Sequence, residues 1–513
     1  IETSPRHLDP TASYWNNDTP YTYQIYEPPY GYHYLKRPFQ LVPKTAAAVA
    51  KPHYLDKNGN PLPDDAPSAD VAESVYDVPI KPGIRFQPHP AFAKDDQGQY
   101  RYHAMKPGEL GERRTPLQFE HQGTRELVAE DFVYALKRHA TTRITAPIYS
   151  TFAEYVVGLK DYGALIKKED AALRKGLDPA SQDKPFLDFR KWPLAGASAP
   201  EKHLLRIRIK GKYPQWSYWM QMTFMSPVPW EADAFYALPG MAERGLTLDV
   251  WPVGTGPYMM VEFVKDRYHV MKRNPNYRGE PYPCEGMPGD KEAGLLDDCG
   301  KTMPFIDTLV SSIEREAVPQ RGKFRQGFYD VEVFERTDTG MDYLVAMQDS
   351  EEVRTEYLNK GFRLNRGSDV NSYFIGFNML DPVIGDGDAG VNSNETKARN
   401  RKLRQAISIA IDWEEYAKVF PKKAGDTAQG PLPPGIFGSR EGTAEGVNPV
   451  THVWKDGKAQ RRPIAEAKKL MEEAGYPSGR DAKTGKPLVL NYDFYAPATP
   501  ERKPEIDWVV RQF

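Results

Sequence analysis

The chain has 513 residues, 40% of them hydrophobic and 27% charged; this length predicts two or three domains of ~100 to 200 residues, and the composition excludes wholesale disorder. Lys and Arg total 68 against 70 Asp and Glu, a net charge of -2, so no long-range field draws polyanions and nucleic acid is not an expected partner. No apolar run reaches the ~18 to 20 residues needed to cross a bilayer. The chain opens Ile-Glu-Thr-Ser, with neither Met nor a charged-then-apolar leader, which leaves localisation open.

In chain order, the run 19–39, TPYTYQIYEPPYGYHYLKRPF, is dense in Tyr and Pro. That density predicts extended segments and loops rather than regular helix. Residues 51–68 are turn-rich and read as a surface connection. From Ser74 to Phe86 the pattern is a strand, a Pro-Gly turn and a return, the signature of a hairpin. Residues 126–139 predict a helix, with Glu130 and Asp131 in its first turn, Lys137 and Arg138 in its last, and Phe132, Val133 and Leu136 on one apolar face. The stretches 85–125 and 158–202 read as long insertions, the second charged and loosely patterned on a lobe surface.

From His203 the pattern changes to HLLRIRIKGKY, where Leu205, Ile207 and Ile209 alternate with basic residues, a strand with one buried face. Trp216, Tyr218 and Trp219 cluster just beyond it. The run Val253–Gly279 joins a Gly-Thr-Gly-Pro-Tyr turn, an alternating strand pair and an Asn-Pro-Asn-Tyr stop. In this reading Gly serves where the backbone bends, and Pro275 ends the second strand. Further on, SYFIGFN at 372–378 predicts a short strand. Residues 399–420 show Leu403, Ala406, Ile407, Ala410 and Ile411 at helical spacing, with Asp412 and Glu415 starting a second helix. Pro463 opens and Gly475 closes a last helix.

The two cysteines, Cys284 and Cys299, flank a loop-like stretch, EGMPGDKEAGLLDD. A disulfide is expected there, with two unrelated thiols as the alternative. Closing a loop of this size restricts the unfolded chain by about 3 kcal/mol in the entropic model. A metal site would need further ligands, and no His lies nearby.

Motifs for other chemistry fail on inspection. Gly385, Gly387 and Gly390 match a dinucleotide pattern, but Asp386 and Asp388 would face the pyrophosphate; a surface loop is expected. Gly479–Lys486 imitates a phosphate loop with Pro487 where Ser or Thr should bind magnesium, and reads as a hairpin turn. Asp56, Asn58 and Asn60 open like a calcium loop, yet Pro61 stands in place of the required Gly. No His pair has the spacing of a zinc helix and no Ser lies in G-x-S-x-G. The acid pairs Asp64/Asp65, Asp95/Asp96 and Asp297/Asp298 sit in polar turns and are not expected to act as catalytic dyads. Neither an enzyme nor a cofactor nor a metal is therefore expected. What remains is aromatic surface: the chain holds 30 Tyr and 9 Trp, side chains that combine large area, few rotors and a hydrogen-bonding tip.

A series of segments resembles the family-5 extracellular solute-binding proteins, the oligopeptide- and dipeptide-binding components of ABC importers. In order these are His7-Leu-Asp-Pro10 and Gln24–Glu27; VYDVPIKPGIRF at 75–86; LVAEDFVYALKR at 127–138; Val253–Tyr258; Lys272–Tyr277; SYFIGFN; LRQAISIAID; and AKKLMEEAGY ending at Tyr476. The resemblance implies an α/β fold, the two-lobed type II periplasmic-binding-protein clamp with the extra domain of peptide binders. It assigns 1–40 and 201–373 to a discontinuous first lobe, 41–200 to an inserted domain and 374–513 to a second lobe, incomplete at the C-terminus, so that a longer natural polypeptide is expected. A small peptide would be held between lobes largely by main-chain hydrogen bonds and delivered to an ABC permease of the inner membrane.

The resemblance further implies a monomeric protein in the periplasm, or lipid-anchored at the outer face of the cytoplasmic membrane. Tyr373, Phe374 and Asn378 match its lobe-crossing segment; with Trp216 and Trp219 they are the candidate ligand-cleft residues. The alternatives are the same clamp for an oligosaccharide or a metal chelate, and a non-transport interaction or structural subunit, a reading that the two insertions motivate.

Overall fold

The computed structural model describes residues 3–36, 39–106, 108–178, 184–315, 317–331, 350–363, 372–388, 390–420, 427–434, 436, 438–494 and 503–513. The chain divides into two compact units, Ile1–Arg315 and Glu316–Phe513. Both mix helix and strand.

The first unit opens with helix α1, Thr19–Ile25, where the composition argued for loop. Pro20 stands in the first turn, and there its missing N–H costs nothing and its fixed φ suits the helix. A two-stranded ribbon follows: β1, Tyr30–Tyr32, pairs antiparallel with β2, Leu41–Pro43. Next come β3, His53–Leu55, β4, Pro61–Leu62, and β5, Glu73–Pro79. Asp56, of the failed calcium motif, accepts the Asn58 and Asn60 amides at 2.8 Å each, so its carboxylate organises the turn between β3 and β4.

The hairpin expected at 74–86 does not form. β5 pairs with β3 on one side and with β7, Leu204–Lys210, on the other. After the Pro-Gly turn the chain is captured instead by 123–127: Phe86 N donates to Arg125 O at 3.0 Å and Leu127 N to Ile84 O at 2.7 Å. With β6, Ala197–Glu201, the sheet has the order β4-β3-β5-β7-β6. Strands on either side of residue 200 thus share one sheet. Leu205, Ile207 and Ile209 are buried as their alternation predicts.

Helix α2, Ala129–Arg138, lies where expected and buries Phe132, Val133 and Leu136. Its Asp131, Lys137 and Arg138 are buried too, and ion pairs satisfy them. Arg125 binds Asp131 and Glu231, and Arg138 binds Asp9 and Asp233. Helix α3 is Tyr149–Tyr155. The stretch read as loosely patterned holds a 15-residue helix, α4, Leu159–Leu173, whose buried stripe is Leu159, Tyr162, Ile166 and Asp170. Asp170 extends the stripe because Arg143 and Arg174 neutralise it. The 85–125 stretch is likewise integrated, contributing Phe86, Phe92, Leu110 and Phe119 to the core.

After β7 come two short helices, α5, Trp216–Trp219, and α6, Trp230–Tyr236. Then β8, Tyr258–Val264, and β9, Tyr268–Arg273, pair antiparallel. A small ribbon of β10, Glu280–Pro281, and β11, Thr302–Met303, carries the Cys284–Cys299 disulfide, and β12, Thr308–Ser312, pairs with β9.

The second unit packs helix Asn394–Ala410 against helix Ile464–Glu473, with Leu403, Ile407, Ile411, Ala474, Tyr476 and Trp508 among its core residues. Asp412 caps helix Trp413–Val419 by accepting the Glu415 amide at 2.8 Å. The strand expected at 372–378 does not form: Ile375 and Phe377 pack toward the core while Tyr373, Phe374 and Asn378 are exposed. That alternation is strand-like, but a strand needs ladder partners, and none occurs among the described residues.

Candidate functional site

The glycines of the Val253–Tyr258 turn are needed for close approach rather than for bending. A Cβ on Gly254 would stand 1.9 Å from Ile25 O, and one on Gly256 would stand 2.6 Å from Gln24 O. Gly256 N donates to Ile25 O at 2.8 Å, and Gln87 N donates to Gly254 O at 2.9 Å. Buried Asn274 donates its side-chain amide to Gly256 O at 2.9 Å and accepts the Asn276 amide at 3.0 Å, which is how the Asn-Pro-Asn stop ends β9. This turn locks the C-terminus of α1, and thereby aims the residues that follow it.

On the surface so positioned, three tyrosines converge: Tyr23 from α1, Tyr32 from β1 and Tyr218 from α5, exposed by 38%, 38% and 44%. Burial raises the Tyr32 phenol pKa, and the neighbouring phenols of Tyr23 and Tyr218 raise it further. Burial also raises that of Tyr23, whose hydroxyl the Thr223 backbone and the Gln221 side chain hold. Tyr23 and Tyr32 therefore stay neutral and able to donate at neutral pH. Phe39 stands 5.1 Å from the Tyr32 ring. Near the Cys284–Cys299 disulfide, Tyr282 lies between Tyr34 and Phe305, at 5.4 and 6.1 Å, and donates its hydroxyl to Leu295 O inside the disulfide loop. Tyr23, Tyr32, Tyr218 and Phe39 thus offer aromatic area with hydrogen-bonding phenol tips.

Trp216 is fully buried and packs on Phe152, so it presents no surface to a ligand. Trp219 is half-buried and donates its indole N–H to Tyr213 at 3.2 Å. Tyr218, between them, is the one that faces out. In the second unit Tyr373 and Phe374 are 65% and 86% exposed, and Asn378 accepts the Leu380 amide at 3.0 Å. Sequence reasoning missed Tyr23 and Tyr32; the Tyr-rich run 19–39 was the signal, but only α1 and β1 bring two of its rings beside Tyr218.

Three histidines are strongly perturbed and none is free. Burial lowers His89 to about 3, and lowers His139 and His269 to about 4. His89 accepts the Ala91 amide at Nδ1 and donates from Nε2 to the Tyr236 hydroxyl, which donates to Trp251 O. Such a chain fixes one neutral tautomer inside a core. Among the described residues no group of three or more His, Cys, Asp and Glu is placed to hold a metal ion, and no helix is long and apolar enough to cross a membrane.

The family model described as bacterial extracellular solute-binding proteins, family 5, matches residues 121–513. Heme-binding protein A of Haemophilus influenzae is 24% identical over 299 residues, 58% of this chain and 42% of that relative. Among solved structures, the periplasmic binding protein DppA of Helicobacter pylori in complex with peptide STSA aligns with a TM-score of 0.54 at 14% identity, covering 93% of this chain and 65% of its own. The murein tripeptide binding protein MppA of Escherichia coli aligns at 0.55 and 15% identity, over 100% and 71%. The chain thus spans less than half of the curated relative and about two thirds of these structures. The shared fold is the mixed α/β fold of type II periplasmic peptide-binding proteins, and these relatives are by name binding proteins. With the family model matching three quarters of its length, the chain belongs to the family 5 bacterial extracellular solute-binding proteins.

Proposed function

We propose that the chain is the solute-capturing component of an ABC importer, that its solutes are small peptides, and that it hands them to a membrane permease from the periplasm or the outer face of the membrane. The family match over 121–513 carries this reading. The peptide complexes and peptide-binder names among its structural neighbours favour the ligand class. On the first unit the contacts come from Tyr23, Tyr32 and Tyr218; on the second, Tyr373, Phe374 and Asn378 remain the proposed contacts. Neutral phenols suit main-chain amides, and roomy aromatic surface tolerates varied side chains.

A second reading, the same scaffold for a metal chelate, is favoured by the heme-binding name of the curated relative. Thermal shift separates the two, since a ligand at 100 times its dissociation constant adds ~2.7 kcal/mol. A mixed tripeptide library is expected to raise the melting temperature and hemin to leave it unchanged. A response to hemin alone would replace the peptide reading with the chelate one.

A further inference from the structure

The Cys284–Cys299 disulfide closes a surface excursion rather than a piece of core. Both cysteines are exposed, residues 285–298 form neither helix nor strand, and Asp290 is the one buried residue among them. Within the excursion Asp290 accepts the Met287 amide at 2.7 Å with its carboxylate and the Leu295 amide at 2.9 Å with its carbonyl. A cross-link placed there secures little apolar area. What it touches beyond itself therefore shows what it holds.

Two contacts lead to the turn 33–40 between β1 and β2. Glu285, next to Cys284, accepts the Lys36 ammonium at 2.5 Å, and Tyr282, two residues before that cysteine, stands edge-on to the exposed Tyr34 ring at 5.4 Å. Inside the turn His33 Nδ1 accepts the Leu35 and Lys36 amides at 3.1 and 3.0 Å. Phe39, near the end of the turn, has a φ of +50°, a left-handed conformation that a bulky side chain adopts only when its surroundings impose it. The Phe39 ring in turn lies 5.1 Å from that of Tyr32. The excursion is thus fastened to a strained turn that packs on a proposed solute contact.

We propose that Cys284–Cys299 is a redox control on this turn. Oxidised, it presents Glu285 and Tyr282 to Lys36 and Tyr34; reduced, it releases the turn and weakens solute capture. The reductant is a dithiol. One of its thiolates attacks a sulfur of the bridge, forming a mixed disulfide and freeing the other cysteine as a thiolate, and its second thiol then displaces the remaining cysteine. Two electrons and two protons pass to the protein, which gains two thiols, and the dithiol leaves as a disulfide. Exposure of both cysteines gives a reductant the access that a buried bridge denies. The effect on capture rests on the Tyr32 contact of the peptide reading, whereas the effect on the turn does not.

The test treats the folded chain with dithiothreitol, counts thiols by alkylation and intact mass, and follows amide hydrogen exchange and the calorimetric affinity for trialanine. Reduction is expected to speed exchange at Leu35 and Lys36 about tenfold, the combined scale of one exposed ion pair and one aromatic contact. Asn58 and Asn60, whose amides Asp56 holds in the β3–β4 turn, are expected to be unchanged. Trialanine is expected to bind the oxidised form at least about fivefold more tightly. Cys284→Ser/Cys299→Ser should behave as reduced wild type without any reductant. Oxidised Tyr34→Ala/Lys36→Met should exchange as fast as reduced wild type and respond no further to reduction. A bridge that dithiothreitol leaves intact in the folded chain, unchanged exchange at Leu35 and Lys36, or equal acceleration at Asn58 and Asn60 overturns the proposal. Equal trialanine affinity in the two forms overturns its link to capture. If trialanine binds neither form, the peptide reading fails and the exchange rates alone decide the control on the turn.

Discussion

Replacing Arg138 by Met tests whether the first unit is organised by charge or merely by apolar packing. Arg138 is 1% exposed and makes five hydrogen bonds: two to Asp9, one to the Thr11 hydroxyl and two to Asp233, all between 2.5 and 3.0 Å. Met fills similar volume but leaves two carboxylates facing each other with no cation. Breaking a buried pair by removing one partner costs about 3 to 5 kcal/mol, because an uncompensated charge stays behind. Asp233 retains the Tyr134 hydroxyl at 2.9 Å and some water, so Asp9 bears most of the loss.

Burial would raise the Asp9 pKa, but the charge and hydrogen bonds of Arg138, with the Thr11 amide, hold it below its ordinary value. A depressed carboxyl contributes stability above its unfolded pKa of about 3.9 and loses it as the pH falls through the folded value. Without Arg138 the burial effect dominates and the sign reverses, so protonating Asp9 relieves the variant. Urea unfolding of wild type, Arg138→Met and Asp9→Asn/Arg138→Met at pH 7 and pH 5 reads this directly. The single variant is expected to lose about 3 to 5 kcal/mol at pH 7 and less at pH 5, and the double variant to recover part of the loss. A loss below ~1 kcal/mol, or one that does not change with pH, refutes the charge argument.

Gly254→Ala is expected to cost at least about 2 kcal/mol, since its Cβ meets a backbone oxygen that cannot swing away; Gly430→Ala, with nothing within 4 Å, serves as the near-neutral control in the same unfolding assay. His89, His139 and His269, buried and neutral with lowered pKa values, contribute stability above about 6.5 that is lost as the pH falls toward their folded values. Denaturant midpoints should therefore drop between pH 6.5 and 4, by up to about 1.4 kcal/mol per pH unit for each histidine; a flat profile would contradict their neutral burial. Reducing Cys284–Cys299, a separation of 15 residues, is expected to lower stability by about 3 kcal/mol, checked by unfolding with and without reductant. Tyr218→Ala should weaken peptide binding about tenfold with little change in stability, because its ring is largely solvent-facing; unchanged affinity in calorimetry would remove it from the site.

Regular elements with one buried face were legible in the residues. The alternation at 204–210, the amphipathic helices 129–138 and 464–473 and the Asp412 cap each follow from local periodicity and capping chemistry, and each stands where expected. Helix α4 was not legible because Asp170 occupies a core position of its stripe; a carboxylate is buried there only because Arg143, from another element, meets it. Helix α1 was hidden by a composition argument that ignores where in the helix its proline falls. The return from the Pro-Gly turn went to 123–127, a choice among partners that hairpin spacing cannot express.

The residues alone sufficed for family, fold class, the disulfide expectation and the periodic elements, because turn chemistry, periodicity and loop closure act over short stretches of chain. Tertiary structure alone decided what those stretches are for. Gly254 is required by an oxygen more than 200 residues away, Trp216 turns inward while Tyr218 turns out, and Tyr23 and Tyr32 gain meaning only beside Tyr218. Glu27 is fully buried because Arg278, more than 200 residues away, meets it, and Glu280 is matched in the same way by the remote Lys44. Such balances are set by distances between remote residues, and no local pattern records them.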